Sequence, residues 1–242
     1  MRSTNEWMAE LHKRGLSPKT LTEEERAAKE KSDAERFTKV YEAQAKIKYR
    51  RMSLWGEQER HLFTFTDWEP TVHTNVQAAK EAGNKAYKIA KDLRESHLFN
   101  VFLFGNAGAG KTSLALAIME AVRDDYSTMF VSVAEWRNLK FKSFKDNAVA
   151  ERLSYTEKLM REVDVLVLDD FGKETQAEAK ETVATMLFEL ADARRGKSTI
   201  ITSNDDLAGL AKKYDQALLS RLITKDIAHV ISANKLDDVR KV

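Results

Sequence analysis

Residues 105–113 read GNAGAGKTS, the pattern G-x-x-x-x-G-K-[ST], between the apolar run VFLF (101–104) and the apolar helix start LALAIM (114–119). Gly105, Gly108 and Gly110 let the backbone turn its N–H groups inward around a phosphate, at the positive end of the helix that follows. Asn106, Ala107, Ala109 and Ser113 complete the loop and its first helical turn. In such a pattern Lys111 reaches β- and γ-phosphates, and Thr112 offers its hydroxyl to Mg²⁺. A chance glycine-rich turn is the competing reading; the strand before, the helix after and the full match weigh against it. The implied ligand is ATP with Mg²⁺.

Further along, VDVLVLDDFG (163–172) sets two carboxylates at the end of an apolar strand. In open α/β folds that is the sheet edge where ligands bind. Asp169 is placed to hold Mg²⁺, and Asp170 to polarise an attacking water. Glu174 is a second candidate base. Taken alone, the pair is equally a polar strand end; beside a phosphate loop it reads as chemistry. The strand end TIITSN (199–204) presents Ser203 and Asn204. Asn204 could orient the lytic water; alternatively Ser203 or Asn204 caps the helix that follows, DDLAGLAKK. Arg221, in ALLSRLIT (217–224), is either a solvated charge or a cation that completes a site, with Arg194 and Arg195 as rivals. The stretch AEWRNLKFKSFKDN (134–147) interleaves Trp136, Phe141 and Phe144 with Arg137, Lys140, Lys142 and Lys145. Aromatics beside cations suit single-stranded nucleic acid, and equally an amphipathic helix packed on the sheet.

The elements that position these residues follow from patterning. The chain has 242 residues, 43% of them apolar, enough for a sizeable core. Forty basic residues face 38 acidic ones, so nucleic-acid binding would need a local patch rather than a global field. Without cysteine there are no disulfides, thiolate zinc sites or iron–sulfur clusters. The first residues, MRSTNEWMAELHKRG, lack the apolar core of a signal peptide. The longest apolar run, Leu114 to Met119, falls short of the roughly 20 residues that span a membrane. A cytoplasmic location is the expectation.

Short apolar runs at 101–104, 129–133, 165–168, 199–202 and 229–232 alternate with helical patterns. That alternation predicts an α/β fold: a mainly parallel sheet with helices on both faces. Before it, TEEE (22–25) is a capping box that opens a highly charged helix. Its apolar stripe runs through Phe37, Val40, Tyr41, Gln44, Ile47, Arg51, Leu54 and Trp55, with a basic cluster at Lys46, Lys48, Arg50 and Arg51. So narrow a stripe cannot build its own core. The expected division is a helical partner-binding region, 1–62, and an ATPase domain, 63–242.

GNAGAGKTS, VDVLVLDDFG, TIITSND and LLSRL, in this order and spacing, resemble the AAA+ ATPases of the DnaC/DnaI helicase-loader group, whose core the IstB transposition ATPases share. The likeness covers about residues 63 to 242, opening with the aromatic segment FTFTDWEP. It implies Lys111 and Thr112 as Walker A, Asp169 and Asp170 as Walker B, Asn204 as sensor 1, Arg221 as an arginine finger serving a neighbouring subunit, and Arg240 as sensor 2. It also implies a minimal or absent C-terminal lid. The DNA-facing residues would be Trp136, Lys140, Phe141, Lys142 and Lys145. The implied partners are single-stranded DNA, further copies of the chain, and a hexameric replicative helicase of the DnaB type gripped through the N-terminal region. The DnaI type carries an N-terminal zinc module that a chain without cysteine cannot build, so this region resembles the helical DnaC arrangement. An IstB-like transposition helper shares the core; a small-molecule kinase or a non-hydrolysing nucleotide-gated scaffold shares only the phosphate loop.

Overall fold

The five apolar runs form one sheet. The computed structural model describes residues 13, 22–56, 62–95, 97–173 and 177–240. In chain order the elements are α1 (Glu23–Arg51), α2 (Val76–Glu95), β1 (Val101–Gly105), α3 (Lys111–Ala121), β2 (Thr128–Ser132), α4 (Val133–Ser143), α5 (Asn147–Glu162), β3 (Val165–Phe171), α6 (Ala177–Ala193), β4 (Ser198–Ser203), α7 (Leu207–Ala211), α8 (Gln216–Leu222) and β5 (Val230–Ala233). The strands lie in the order β2-β3-β4-β1-β5, and every pairing is parallel. Their carboxyl ends therefore share one edge.

Side-chain alternation decides which helices cover which face. Phe102, Met129, Val131, Leu166, Leu168 and Ile201 point to one side, where α4, α5, α6 and α8 bury them. Val101, Leu103, Phe130, Val165, Val167 and Ile200 point to the other, under α2 and α3. A strand buried on both faces must be apolar throughout, which is why VLVL and TII show no polar alternation.

The chain divides into two compact units, residues 1–45 and 46–242. In the first, Thr22 and Glu25 cap α1 reciprocally: Thr22 N–H donates to Glu25 Oε2 at 2.9 Å, and Glu25 N–H to Thr22 Oγ1 at 3.2 Å. Phe37, Val40 and Tyr41 stand exposed along this helix. The second unit begins with its last turns. There Lys46 Nζ donates to Asp124 O at 2.7 Å, Arg50 pairs with Glu120, and Lys48 Nζ lies 4.0 Å from Glu162. Three members of the basic cluster thus contact residues of the helices around the sheet or beside them.

Contrary to the helical stripe expected through Trp55, α1 ends at Arg51. Leu54 leaves the helix to pair with Val131 in parallel, its N–H donating to Phe130 O and its carbonyl accepting from Ser132 N–H, both at 2.8 Å. The apolar spacing continued, but these residues satisfy the exposed edge of β2 instead. Among the described residues no helix is long and apolar enough to cross a membrane.

Candidate functional site

The phosphate loop joins β1 to α3. Gly108 and Gly110 take positive φ, 70° and 81°, which side chains disfavour. A Cβ on Gly110 would stand 2.6 Å from the Trp68 ring, and one on Gly108 would collide with the Asp238 carboxylate. Lys111 is 6% exposed. Its ammonium donates to Gly105 O at 2.9 Å, Asn106 O at 2.6 Å and Asn204 Oδ1 at 2.9 Å. Burial pulls its pKa below the usual lysine range, with Asp170 and Asp169 partly opposing.

The aspartate pair sits on a bulge. The β3–β4 register shifts between Leu168 and Phe171, and Asp170 takes φ 61°, unusual for any residue but glycine. Thr202 on β4 repairs this break. Its hydroxyl accepts from Asp170 N–H at 2.9 Å and donates to Asp169 Oδ1 at 2.7 Å. Thr112 Oγ1 donates to the same oxygen at 2.7 Å. Burial pushes the Asp169 carboxyl above the usual range, while the two hydroxyls pull the other way. Asp170 carries a 2.6 Å ion pair to Lys173.

These groups line a cleft of about 550 Å³ that includes Arg240 at one end and Trp55, Phe63 and Phe130 at another. Trp55 stacks flat on Phe130, centroids 4.4 Å apart and planes within 6°. An apolar slot beside a phosphate cradle suits a nucleobase. The segment after β5 straps the loop: Asn106 Nδ2 donates to Asn234 O and Leu236 O at 3.0 and 2.9 Å. Val239 N–H donates to Gly108 O at 3.2 Å. Arg240 Nε donates to Asp238 Oδ1 at 2.9 Å, and such contacts hold the Asp238 carboxyl down at about 2.

The structure thus gathers Lys111, Thr112, Asp169, Asp170, Asn204 and Arg240 around one cleft. Asn204 does not cap α7; Asp206 does, accepting from Gly209 N–H at 2.7 Å. Ser203 instead donates to Phe171 O at 2.7 Å. Arg221 lies elsewhere, on a smaller cleft with Phe99 and Arg195. Arg194 drops out as a finger: it is 4% exposed and donates to the carbonyls of Met160 and Val163 at 2.6 and 2.8 Å and to Thr199 Oγ1 at 3.0 Å. Glu174 falls outside the described residues. In α4 one residue must be withdrawn from the DNA-facing set. Trp136 is 2% exposed and packs in the core, its indole N–H donating to Glu157 Oε1 at 3.0 Å, so no base can stack on it. Phe141 and Phe144 are exposed, with Lys140 Nζ 5.9 Å from the Phe144 centroid. Lys142 and Lys145 are exposed too.

Sequence reasoning missed Thr202, whose hydroxyl looked like ordinary β-strand composition, and Trp55, assigned to the wrong element. Trp68 reads in the sequence only as part of an aromatic segment.

A family model for the IstB-like ATP binding protein matches residues 85–239, more than half of the chain and all of the phosphate-loop and aspartate geometry described above. The chain belongs to the IstB-like ATP binding protein family. Among solved structures, the crystal structure of the DnaI is similar at a TM-score of 0.57 and 22% identity, over 76% of this chain and 98% of that one. A DNA replication initiation factor is similar at 0.50 and 18% identity, over 64% of this chain and 46% of that one. These likenesses carry the fold alone, a parallel sheet covered by helices with a phosphate loop after its first strand. A chromosomal replication initiator protein, DnaA of Buchnera aphidicola subsp. Baizongia pistaciae, is 26% identical over 139 residues, 54% of this chain. The match spans 28% of that protein's length. For an IstB-like ATP binding protein, the cradle, the buried lysine and the paired hydroxyl and carboxylate oxygens fit ATP. Among the described residues no three acidic, histidine or cysteine side chains cluster for a metal. The Thr112 hydroxyl and the Asp169 carboxylate, 2.7 Å apart, suit Mg²⁺, which takes one or two protein oxygens and leaves the rest to phosphate and water.

Proposed function

We propose that this protein is a cytoplasmic, ATP-hydrolysing loader of the replicative DNA helicase, similar to the DnaC/DnaI group. The observation that carries the ATPase part is the convergence of Thr112 and Thr202 on one oxygen of Asp169, 2.7 Å from each, beside a buried lysine held by two loop carbonyls and Asn204 Oδ1. Phosphate oxygens would replace those carbonyls around Lys111. Thr112 and Asp169 would hold Mg²⁺, which would neutralise charge on the β- and γ-phosphates. Asp170, released from Lys173, would orient the attacking water, and Asn204 would fix it from the other side. Arg240 would exchange Asp238 for phosphate. Trp55 and Phe63 would flank the base.

Arg221 lies away from the chain's own cleft, which supports its service to a second copy. Hydrolysis then requires assembly, and turnover is slow in the isolated chain. Phe141, Phe144, Lys140, Lys142 and Lys145 offer single-stranded DNA stacking faces and cations. The helicase contact falls to the N-terminal region, where Phe37, Val40 and Tyr41 leave an apolar stripe exposed in a charged helix.

Family membership favours a second reading, an IstB-like helper that brings a transposase to target DNA. The deciding experiment mixes the full chain, with ATP, with a hexameric replicative helicase or with a transposase, and weighs the complexes. A helicase complex supports the loader; a transposase complex alone overturns it. In parallel, Asp170→Asn should retain ATP binding and lose turnover. Negligible turnover in both the wild type and the variant would point to a nucleotide-gated scaffold; measurable turnover that survives the substitution would remove Asp170 from the activation of water.

A further inference from the structure

The Arg221 guanidinium is seated by two residues of α6. Its Cζ lies 4.5 Å from the Phe188 ring centroid, and its Nε lies 3.7 Å from Asp192 Oδ1. Its Nη1 donates to Ala217 O at 3.0 Å, and Asn100 Nδ2 donates to Arg221 O at 3.0 Å, fixing the backbone. Phe188 is conspicuous on its helix. Met186, Leu187, Leu190 and Ala191 are buried in the core, whereas the Phe188 ring is 41% exposed. The core does not require that ring; its close polar neighbour is the cation above it. An arginine side chain carries large rotamer entropy. A ring face on one side and a carboxylate on another restrict it before any phosphate arrives.

Asp192 is shared. Its Oδ1 also accepts from Arg195 Nη2 at 2.7 Å, the closer of the two contacts. Arg195 therefore satisfies the acid, while Arg221 keeps a longer and weaker hold on it. A longer contact orients the guanidinium without locking it, and can be surrendered to a phosphate, which binds it more strongly.

We propose that Phe188 and Asp192 are positioning residues that aim Arg221 at the nucleotide of a second copy of the chain, with Arg195 tempering the grip of Asp192. This rests on the reading that Arg221 acts between copies, and the experiment separates the two. Full-length Phe188→Ala, Arg221→Ala and Lys111→Ala proteins are assayed for ATP turnover at assembling concentration, alone and in pairs. Lys111→Ala copies lack a working ATP site but keep an intact Arg221.

Phe188→Ala alone should lower kcat about two- to fivefold, the scale of an exposed cation–π contact, with KM for ATP unchanged. Phe188→Trp should restore it. In a large excess of Lys111→Ala, turnover per Phe188→Ala site should rise towards the wild-type level, because nearly every neighbour then supplies a well-aimed arginine. A large excess of Arg221→Ala should give no such rise. If Arg221→Ala is rescued by Lys111→Ala but Phe188→Ala is not, the ring is merely structural and the positioning role falls. If Arg221→Ala is not rescued either, the reading between copies falls, and the positioning role with it.

Discussion

Thr202 shows how one hydroxyl can hold two catalytic candidates in place. It is fully buried, accepts from the N–H of Asp170 and donates to the carboxylate of Asp169. Thr202→Val keeps the shape and removes both contacts. The Asp170 N–H would then lack a partner on a bulge that already holds φ 61°. The expected loss is about 1–3 kcal/mol, visible as a drop of roughly 2–4 °C in melting temperature per kcal/mol, together with slower turnover. Thr202→Ser should recover both; a Val variant with unchanged melting and turnover would remove Thr202 from the site. Lys111 gives a pH test. Burial lowers its pKa in the nucleotide-free protein, and phosphate restores it by favouring the charged form. Binding therefore takes up protons wherever free Lys111 is partly neutral. ATP affinity should begin to fall with rising pH below the ordinary lysine pKa of about 10.4. Titration calorimetry in two buffers of different ionisation enthalpy would detect the proton uptake, and its absence would contradict the depressed pKa.

At the level of elements, periodicity foretold the strands because a doubly covered parallel sheet is apolar at every position. The phosphate loop was legible because its glycines answer to local backbone geometry. Contacts made by tertiary structure were not. Leu54 and Trp55 continue the spacing of α1 in the sequence, yet the free edge of β2 offers backbone partners that a further helical turn cannot. Trp136 shares its composition with Phe141 and Phe144, and only the fold decides which of them faces α5. Arg194 is the sharpest case, because a surface-looking arginine at a helix end ties α5, β4 and the end of α6 together through buried carbonyls. Arg194→Leu would strand those carbonyls without a donor. A loss of about 3–5 kcal/mol is expected, in the range for breaking a buried charged network. Arg195→Ala, on an exposed neighbour, should change stability by less than about 0.5 kcal/mol. Equal melting of the two variants in the absence of nucleotide would refute this division of labour.

Across the whole molecule, the second unit includes the last turns of α1. Lys46, Lys48 and Arg50 bind its surface, Leu54 pairs with β2, and Trp55 closes one end of the cleft. The partner-binding function proposed here falls on the first unit and the nucleotide-binding function on the second. Two truncations separate them. A chain starting at Lys46 retains every one of those contacts and should bind ATP as the full protein does, while losing the exposed stripe at Phe37, Val40 and Tyr41 and with it the helicase. A chain starting at Phe63 also loses Trp55 and the Leu54 bridge that protects the edge of β2. An exposed sheet edge invites pairing with other chains, so this shorter protein should bind ATP more weakly and aggregate more readily. Its affinity for inorganic triphosphate, which needs the cradle but not the aromatic slot, should fall much less than its affinity for ATP. Equal losses for both ligands would mean that Trp55 supports the loop and does not touch the base. Equal affinity of the two truncations for ATP would remove the aromatic slot from nucleotide binding altogether.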